Sequence, residues 1–422
     1  MTTPASDASS FGAELRRRRL AAGLSLSELS SRTHYSRGYI SRIETGDREP
    51  SVEFARRLDA ALGAEGVLAL MLEPQAVMIS QAREPFPNPD ATFDLSWIES
   101  FHADTASRRS YVSDALVRPD VQDQAIESFA DLLDRLKSLG QVLAPSNVMP
   151  MLVPQVVILV KLAQRADDRI APKVWRMASR FADYAGWMAQ EMGSDETASR
   201  WTDQAVIFAR LAGDNDAVAY AYVRRANIAL YQHDARMTVN FAVLAQKTQC
   251  GSYVQRLACQ REAQGYALAG DRHSYIKAMA RAEGLLANEP DDEPQRVQLG
   301  SQRMSNPLRL AKGWSLHDLG LSEDAVPFLR DEYDATHASN RRARARIGAR
   351  LALALAASHK LDKAAEVLED ILSGVRTIES ATIRADLKSV NRILNRWHGD
   401  ESVLRVSPIL SAALMPSASI EG

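Results

Sequence analysis

Apolar positions recur three and four residues apart over most of this chain, while runs of alternating β-branched residues are scarce. The pattern predicts an all-α protein. Over residues 11–63 it resolves into short, closely spaced helices. FGAELRRRRLAAG puts Phe11, Leu15 and Leu20 on one side and ends at Gly23. SLSELSSRT begins with Ser25 as N-cap and Glu28 three residues on, a capping box. After the turn HYS, Ser36 caps RGYISRIE, in which Ile40 and Ile43 face inward and Arg37, Gly38, Ser41 and Arg42 take the opposite side. Gly46 ends that helix, DREPS forms a loop, and VEFARRLDAALG follows with Phe54, Leu58 and Leu62 as its stripe. His34 stands where such a turn usually carries glycine, and histidine tolerates the left-handed backbone region better than most residues.

The segment QAREPFPNPDATF (81–93) holds three prolines and reads as a linker. Beyond it helix follows helix, and the breaks repeat. LAGD closes an alanine-rich helix at 211–214 and again at 268–271, and LSEDAVPFL (321–329) resembles LDKAAEVLE (361–369) at a shift of 40. First helices of helix pairs are expected to start near 216, 253, 304, 341 and 380, with the longest step caused by NEPDDEPQRVQLGSQ (288–302). Such a period, slightly above that of tetratricopeptide repeats, with small residues at helix crossings, predicts an α-solenoid of stacked antiparallel pairs with a concave face. The expected organisation is a disordered tail (1–10), a helical head (11–73), a linker (74–93), the repeats (94–405) and a C-terminal tail (406–422).

Composition adds little to this, but charge does. With 46% hydrophobic and 25% charged residues the chain has the makings of folded domains. The net charge is −2, yet residues 11–63 carry ten arginines against seven acids, so a head at +3 sits on a body at −5. The two cysteines, Cys250 and Cys259, are nine apart and fit no metal or redox motif. The opening MTTPASDASS has neither a basic start nor an apolar stretch, and the most apolar run, VMPMLVPQVVILV (148–160), covers about half a bilayer and contains two prolines. A cytoplasmic protein with no membrane association is expected.

Two short helices joined by a tight turn, the second presenting arginine near its N-terminus, have the geometry of a major-groove reader. Residues 11–63 resemble the helix-turn-helix domain of the Xre family, which includes the lambdoid phage repressors. The resemblance is carried by ELRRRRLAAGLSLSELS, SRGYISRIETG, REPS and LDAALG. It implies a five-helix fold of the lambda-repressor kind and a double-stranded DNA operator as partner. It places Ser36, Arg37, Gly38, Ser41 and Arg42 on the DNA-facing side, with Arg37 and Arg42 at the bases and Tyr39 against a phosphate. It also implies a structural ion pair between Arg19 and Glu44. Leu26 departs from it, standing where many relatives carry a glutamine that bonds the DNA backbone. The RRRR run (16–19) winds around its helix and reads as a solvated face with one structural member.

Residues 185–214, with Trp187, Trp201, Ala205, Ala209 and Gly213 as packing positions, resemble a pattern common in actinobacterial regulators that carry tetratricopeptide-like C-terminal domains. The architecture is also similar to peptide-sensing regulators of Gram-positive bacteria. On the helix beginning near 216, Tyr220, Arg224, Asn227 and Tyr231 line one side and suit a peptide backbone and carboxylate. Arg342, Arg346 and Arg350 align at i,i+4 and suit an anion. Two readings stay open for both rows: contact with a peptide or small-molecule effector, or ion pairs with acids on adjacent helices. Trp175, Trp187, Trp201, Trp314 and Trp397 read as repeat core. The expected protein is a homodimeric transcription regulator. The alternative is an interaction scaffold whose head binds protein. No HExxH, GxSxG, phosphate-loop or dinucleotide motif is found, and the histidines do not cluster with acids, so neither catalysis, cofactor nor metal is expected.

Overall fold

The structure, a computed structural model, describes residues 7–64, 66–72, 119–287 and 306–415. The predicted linker (74–93), the first part of the predicted repeat region (94–118) and the whole 288–302 insertion lie outside the described residues. All regular elements among those described are helices.

The head comprises α1 (Asp7–Ala21), α2 (Leu26–Thr33), α3 (Arg37–Glu44), α4 (Val52–Leu62) and α5 (Val67–Leu72). Its boundaries are set by local chemistry. The Ser25 Oγ accepts from Glu28 N at 3.2 Å while Ser25 N donates to the Glu28 carboxylate at 2.8 Å. Ser36 and Ser51 accept in the same way at the starts of α3 and α4. Phe11, Leu15, Leu29, Ile40, Ile43, Phe54, Leu58 and Leu68 form a fully buried core. Two expectations are corrected. The first helix begins at Asp7, inside the predicted tail, and Leu20 is 59% exposed because its fifth-residue offset from Leu15 carries it off the apolar stripe. Leu24 is buried instead. Asp59 of α4 accepts from Leu68 N and Ala69 N at 2.9 and 2.8 Å, capping α5 from a neighbouring helix; burial pushes its carboxyl up to about 6.

The repeats begin after α6 (Pro119–Leu139) and α7 (Pro145–Ala163). Helix α7 is long and apolar enough to cross a membrane, but Val148, Leu152, Val156 and Leu159 are buried in the core it shares with the next helix. The following helices pair antiparallel: α8 (Ala171–Glu191) with α9 (Asp195–Leu211), α10 (Asn215–Tyr231) with α11 (Ala235–Lys247), and α12 (Ser252–Ala269) with α13 (Arg272–Ala287). Next come α14 (Pro307–Asp318) with α15 (Ser322–Ala335), α16 (Arg341–Ala357) with α17 (Leu361–Ile378), and α18 (Ala381–Leu394) with α19 (Glu401–Leu414). First helices start at 215, 252, 307, 341 and 381, close to the expected positions. The two LAGD turns are not equivalent, since 211–214 joins one pair to the next whereas 268–271 lies within a pair.

Close crossings explain the small residues. A Cβ on Gly265 would lie 2.7 Å from Val239 Cγ2, and one on Gly348 would lie 2.7 Å from Ile371 Cγ2, so Gly265 lets α12 press onto α11 of the preceding pair and Gly348 lets α16 press onto its own partner. Successive first helices also touch one another, and α18 returns to contact α8, closing the stack into a ring. Glu191, the last residue of α8, is the clasp. Its carboxylate, with no exposed surface, pairs with Arg342 at 2.9 Å and with Arg346, and accepts from Ser380 and from Thr382 at 2.8 Å. Burial alone would raise this carboxyl, but Arg346, Arg342 and the two hydroxyls outweigh it and hold it below the usual range. Arg342 also donates to the carbonyls of Gly140, Leu143 and Ile378. The predicted tail boundary at 405 is corrected too, because α19 runs to Leu414 and buries Val406, Leu410 and Ala413 against the last repeats.

The head sits on one edge of this ring, across the turns within four successive pairs. Gly66 meets Gly270, and Arg56 donates to Leu268 O. Gly320 faces the Arg56 carbonyl, which a Cβ would approach to 2.6 Å. His34 stacks on His359 with centroids 5.1 Å apart, and His359 lies 4.2 Å from Trp397. Arg396 donates to Tyr35 Oη at 3.0 Å and reaches Glu53 at 3.6 Å.

Glu191→Gln removes the charge that answers two buried guanidiniums and is expected to cost about 3–5 kcal/mol in urea unfolding of the full chain. Because the folded carboxyl titrates below its unfolded value, this stability is complete above about pH 4.3 and is lost as pH falls through the lower folded value. The acid limb of the wild-type stability profile should therefore shrink in the variant.

Candidate nucleic-acid interface

Helix α3 is anchored from below and open above. Ile40 and Ile43 are fully buried, whereas Ser36, Arg37, Gly38 and Arg42 are exposed and Ser41 is half-buried. All five sequence-predicted positions thus share one outward side, and the seating of the head on the ring leaves that side uncovered by the described residues. Ser36 spends its hydroxyl on the Tyr39 amide, fixing the helix start. Arg42 Nε donates to the Gly38 carbonyl at 3.2 Å, which lays its guanidinium along the helix. At the N-terminus of α3 the helix dipole adds a positive end to the arginines.

Gly38 is unlike the other glycines of the head. Its φ is not positive, and a Cβ there would meet no atom within 4 Å. Nothing among the described residues requires a glycine at this point, so the position leaves room for something brought from outside. Gly12 is the opposite case. A Cβ there would lie 2.3 Å from Ile43 O and 2.9 Å from Glu44 O, and its absence lets α1 lean on the end of α3. The same junction holds the Arg19–Glu44 pair, bidentate at 2.7 and 2.9 Å with Arg19 Nη1 also donating to Leu24 O at 2.9 Å. The tilt of α3 is therefore set by α1.

The remaining expected residues fall as follows. Tyr39 is half-buried, its ring stacked on Tyr35 at 5.3 Å and edge-on to Phe54 at 5.1 Å. Arg48 covers its outer face at 4.8 Å. Arg48 is exposed beside the exit of α3 and was not singled out from the sequence; the Tyr39–Arg48 spacing across a glycine stop is the signal that points to it. In the RRRR run, Arg17 and Arg18 share Glu14, whose carboxyl the Arg17 hydrogen bond holds down to about 2 despite burial, and Arg19 is the structural member. Leu26 packs against the core of the head. His34 adopts φ 57 and ψ 29, the left-handed cap of α2.

The two rows on the repeats both lie on inner helices, α10 and α16. Arg224 is buried, 3.5 Å from Asp183 and donating to Gln190 Oε1 at 3.3 Å; Asn227 is buried, and Tyr220 and Tyr231 are half-buried. Tyr231 lies edge-on to Trp314 at 5.2 Å, and Arg350 covers Trp314 at 3.5 Å while pairing with Asp386 at 2.7 Å. Arg342 is corrected: with no exposed surface and its donors committed to the clasp and three carbonyls, it has nothing to offer a ligand. Arg346 gives one amino group to Glu191 and Thr382 and keeps only a small part, 11%, of its side chain exposed. Trp187, Trp201 and Trp314 are buried, and Trp175 and Trp397 pack at the core margins.

The contrast between the two glycines is measurable. Gly12→Ala is expected to lower stability by about 1–3 kcal/mol through backbone collision, whereas Gly38→Ala should leave it unchanged or raise it by up to about 1 kcal/mol. Thermal unfolding of the two variants side by side checks this.

Comparison with protein families matches residues 10–71 to a helix-turn-helix domain, the segment that the geometry has just delimited. A search of curated proteins found no match to the chain.

Proposed function

We propose that this chain is a transcription regulator of the Xre type whose head reads double-stranded DNA and whose tetratricopeptide-like ring serves sensing and dimerisation. The observation that carries this reading is the outward side of α3, where Arg37 and Arg42 flank a glycine that no internal contact requires. Arginine pairs bidentately with guanine O6 and N7, and a glycine between two arginines lets the helix come close to the groove floor. The exposed Arg48 and the amide end of α3 supply phosphate contacts. One helix of eight residues reads few base pairs, so the protein acts as a homodimer on half-sites one turn, or a multiple of it, apart. The chain acts without catalysis. The inner face of the ring holds a small effector, and its binding alters how the heads are presented.

Selection of bound fragments from a genomic DNA pool by the full-length protein, followed by mobility-shift titration, tests the proposal. Arg37→Ala and Arg42→Ala are each expected to weaken the selected site by about 1–3 kcal/mol, roughly 5- to 150-fold, and to relax preference at particular bases. Arg48→Ala should weaken all sequences alike and reduce the salt slope by about one phosphate equivalent. Gly38→Ala should weaken binding without loss of stability. Retention of every site by Arg37→Ala would rule out the assigned reading surface.

A further inference from the structure

The interior of the ring holds an electrostatic imbalance. Arg261 of α12 lies deep among the inner helices, and its side-chain partner is the Gln264 carbonyl oxygen rather than a carboxylate. The titratable side chains acting on it most strongly are the phenols of Tyr220 and Tyr231 and the guanidiniums of Arg224 and Arg346. Each of those two arginines already has an acid, Asp183 and Glu191 respectively, and Glu191 is shared with Arg342. Arg350 is matched by Asp386. Among the residues named here, five guanidiniums therefore face three carboxylates, and Asp318 with Arg56, one charge of each sign beside Arg350 and the edge of the ring, leave the excess at two; Asp183 is acted on by Lys137 and Arg180 as well.

The hydrogen-bonding groups are unbalanced in the same sense. Gln264 is 1% exposed, and because its oxygen accepts from Arg261 its amino group must point elsewhere, where it has no partner. Gln190 is 2% exposed, its oxygen accepts from Arg224, and its amino group is likewise unpartnered. Nε of Arg261 and of Arg346 and the hydroxyl of Tyr231 also lack hydrogen-bond partners, as does Nε of Arg224, whose ion-pair contact with Asp183 is at 3.5 Å. All six groups can donate, whereas on the acceptor side only one oxygen each of Asp386 and Asp318, among the residues named here, lacks a hydrogen bond. Arg261, Arg346 and Tyr231 keep surface reachable by water although protein surrounds them, as expected of a lumen lining. Buried donors left without acceptors are costly, and buried cations without counterions more so.

We infer that the ring interior at Arg261 and Gln264 is a binding site for a small anion bearing several acceptor oxygens, a phosphoryl or carboxylate group. This rests on the effector reading above and names its chemistry. The anion supplies the negative charge that the lumen lacks and accepts from the amino groups of Gln190 and Gln264 and from the Arg261 fork. Five of the six donors come from α8, α10 and α12, and Arg346 from α16, so the occupant touches both arms of the closed ring and draws them together.

Thermal unfolding of the full-length chain, without DNA, tests the site with inorganic phosphate and with citrate as probes, each against sodium chloride at matched ionic strength. At about a hundred-fold excess over Kd a saturable rise of roughly 3 to 8 °C is expected for at least one probe. Arg261→Met should abolish that rise while the unliganded protein melts no lower than wild type, since it loses an unmatched buried charge. Gln264→Leu should diminish the rise and provides the test should Arg261→Met fail to fold. A response to phosphate alone assigns a phosphoryl ligand; a response to citrate alone assigns a carboxylate, from a metabolite or a peptide terminus. No rise above chloride with either probe, or an equal rise in both variants, overturns the site. Because no DNA is present, a failed mobility shift would sink the regulator reading and leave this result standing.

Discussion

A carboxylate without any exposed surface must be answered within hydrogen-bond distance, and Glu191 is answered from four residues distant in the chain. Arg342 and Arg346 come from α16, Ser380 and Thr382 from the start of α18. Without that knot the stack of helix pairs would be an open superhelix whose ends have no reason to meet. With it, the last inner helices return to the first, and Arg342 binds the carbonyls of Gly140 and Leu143 into the same junction. Charge burial of this kind is poor value in stability compared with apolar packing, but its geometric demands admit few alternatives. Here they fix the circumference of the ring.

Closure gives the inner surface its character. In an open solenoid, arginines on a concave face are hydrated and each can choose a neighbour. Inside a closed ring they are held in a restricted volume, and each acid is already spoken for by a specific partner. The unmatched state of Arg261 is thus a product of ring closure as much as of local sequence. The alanines and the crossing glycines Gly265 and Gly348 contribute by letting the helix pairs pack closely enough for opposite walls to sense each other.

Much of this was legible in the sequence where the determinants are local. The capping box at Ser25, the cap at Ser36 and the Ile40–Ile43 spacing set the second and third helices of the head within a residue or two, and the outward side of α3 follows from helical period alone. The first helices of the repeats were likewise found near their true starts. What failed was whatever depended on contacts far apart in the chain. Arg342 lies on the same helix stripe as Arg346 and Arg350, and nothing within ten residues tells that it will be swallowed by Glu191, 151 positions away. Arg261, Gln264 and Gln190 carry no motif, since their significance comes from the absence of partners, which only the assembled ring reveals. The two LAGD turns look alike because a helix stop needs the same chemistry wherever it falls. Leu20 was misplaced through one residue of phase.

The seat of the head has a mechanical meaning. Gly270, Gly320, His359 and Trp397 belong to the turns of four consecutive helix pairs, and the head spans them like a bar laid across the teeth of a comb. Spacing between such turns is set by the pitch of the superhelix. A rigid bar fits the comb at one pitch only, and glycine-to-backbone contact at Gly66 and Gly320 leaves little slack to absorb another. The head is in this sense a gauge of ring curvature: any change of pitch must either be refused by the bar or lift it from at least one tooth.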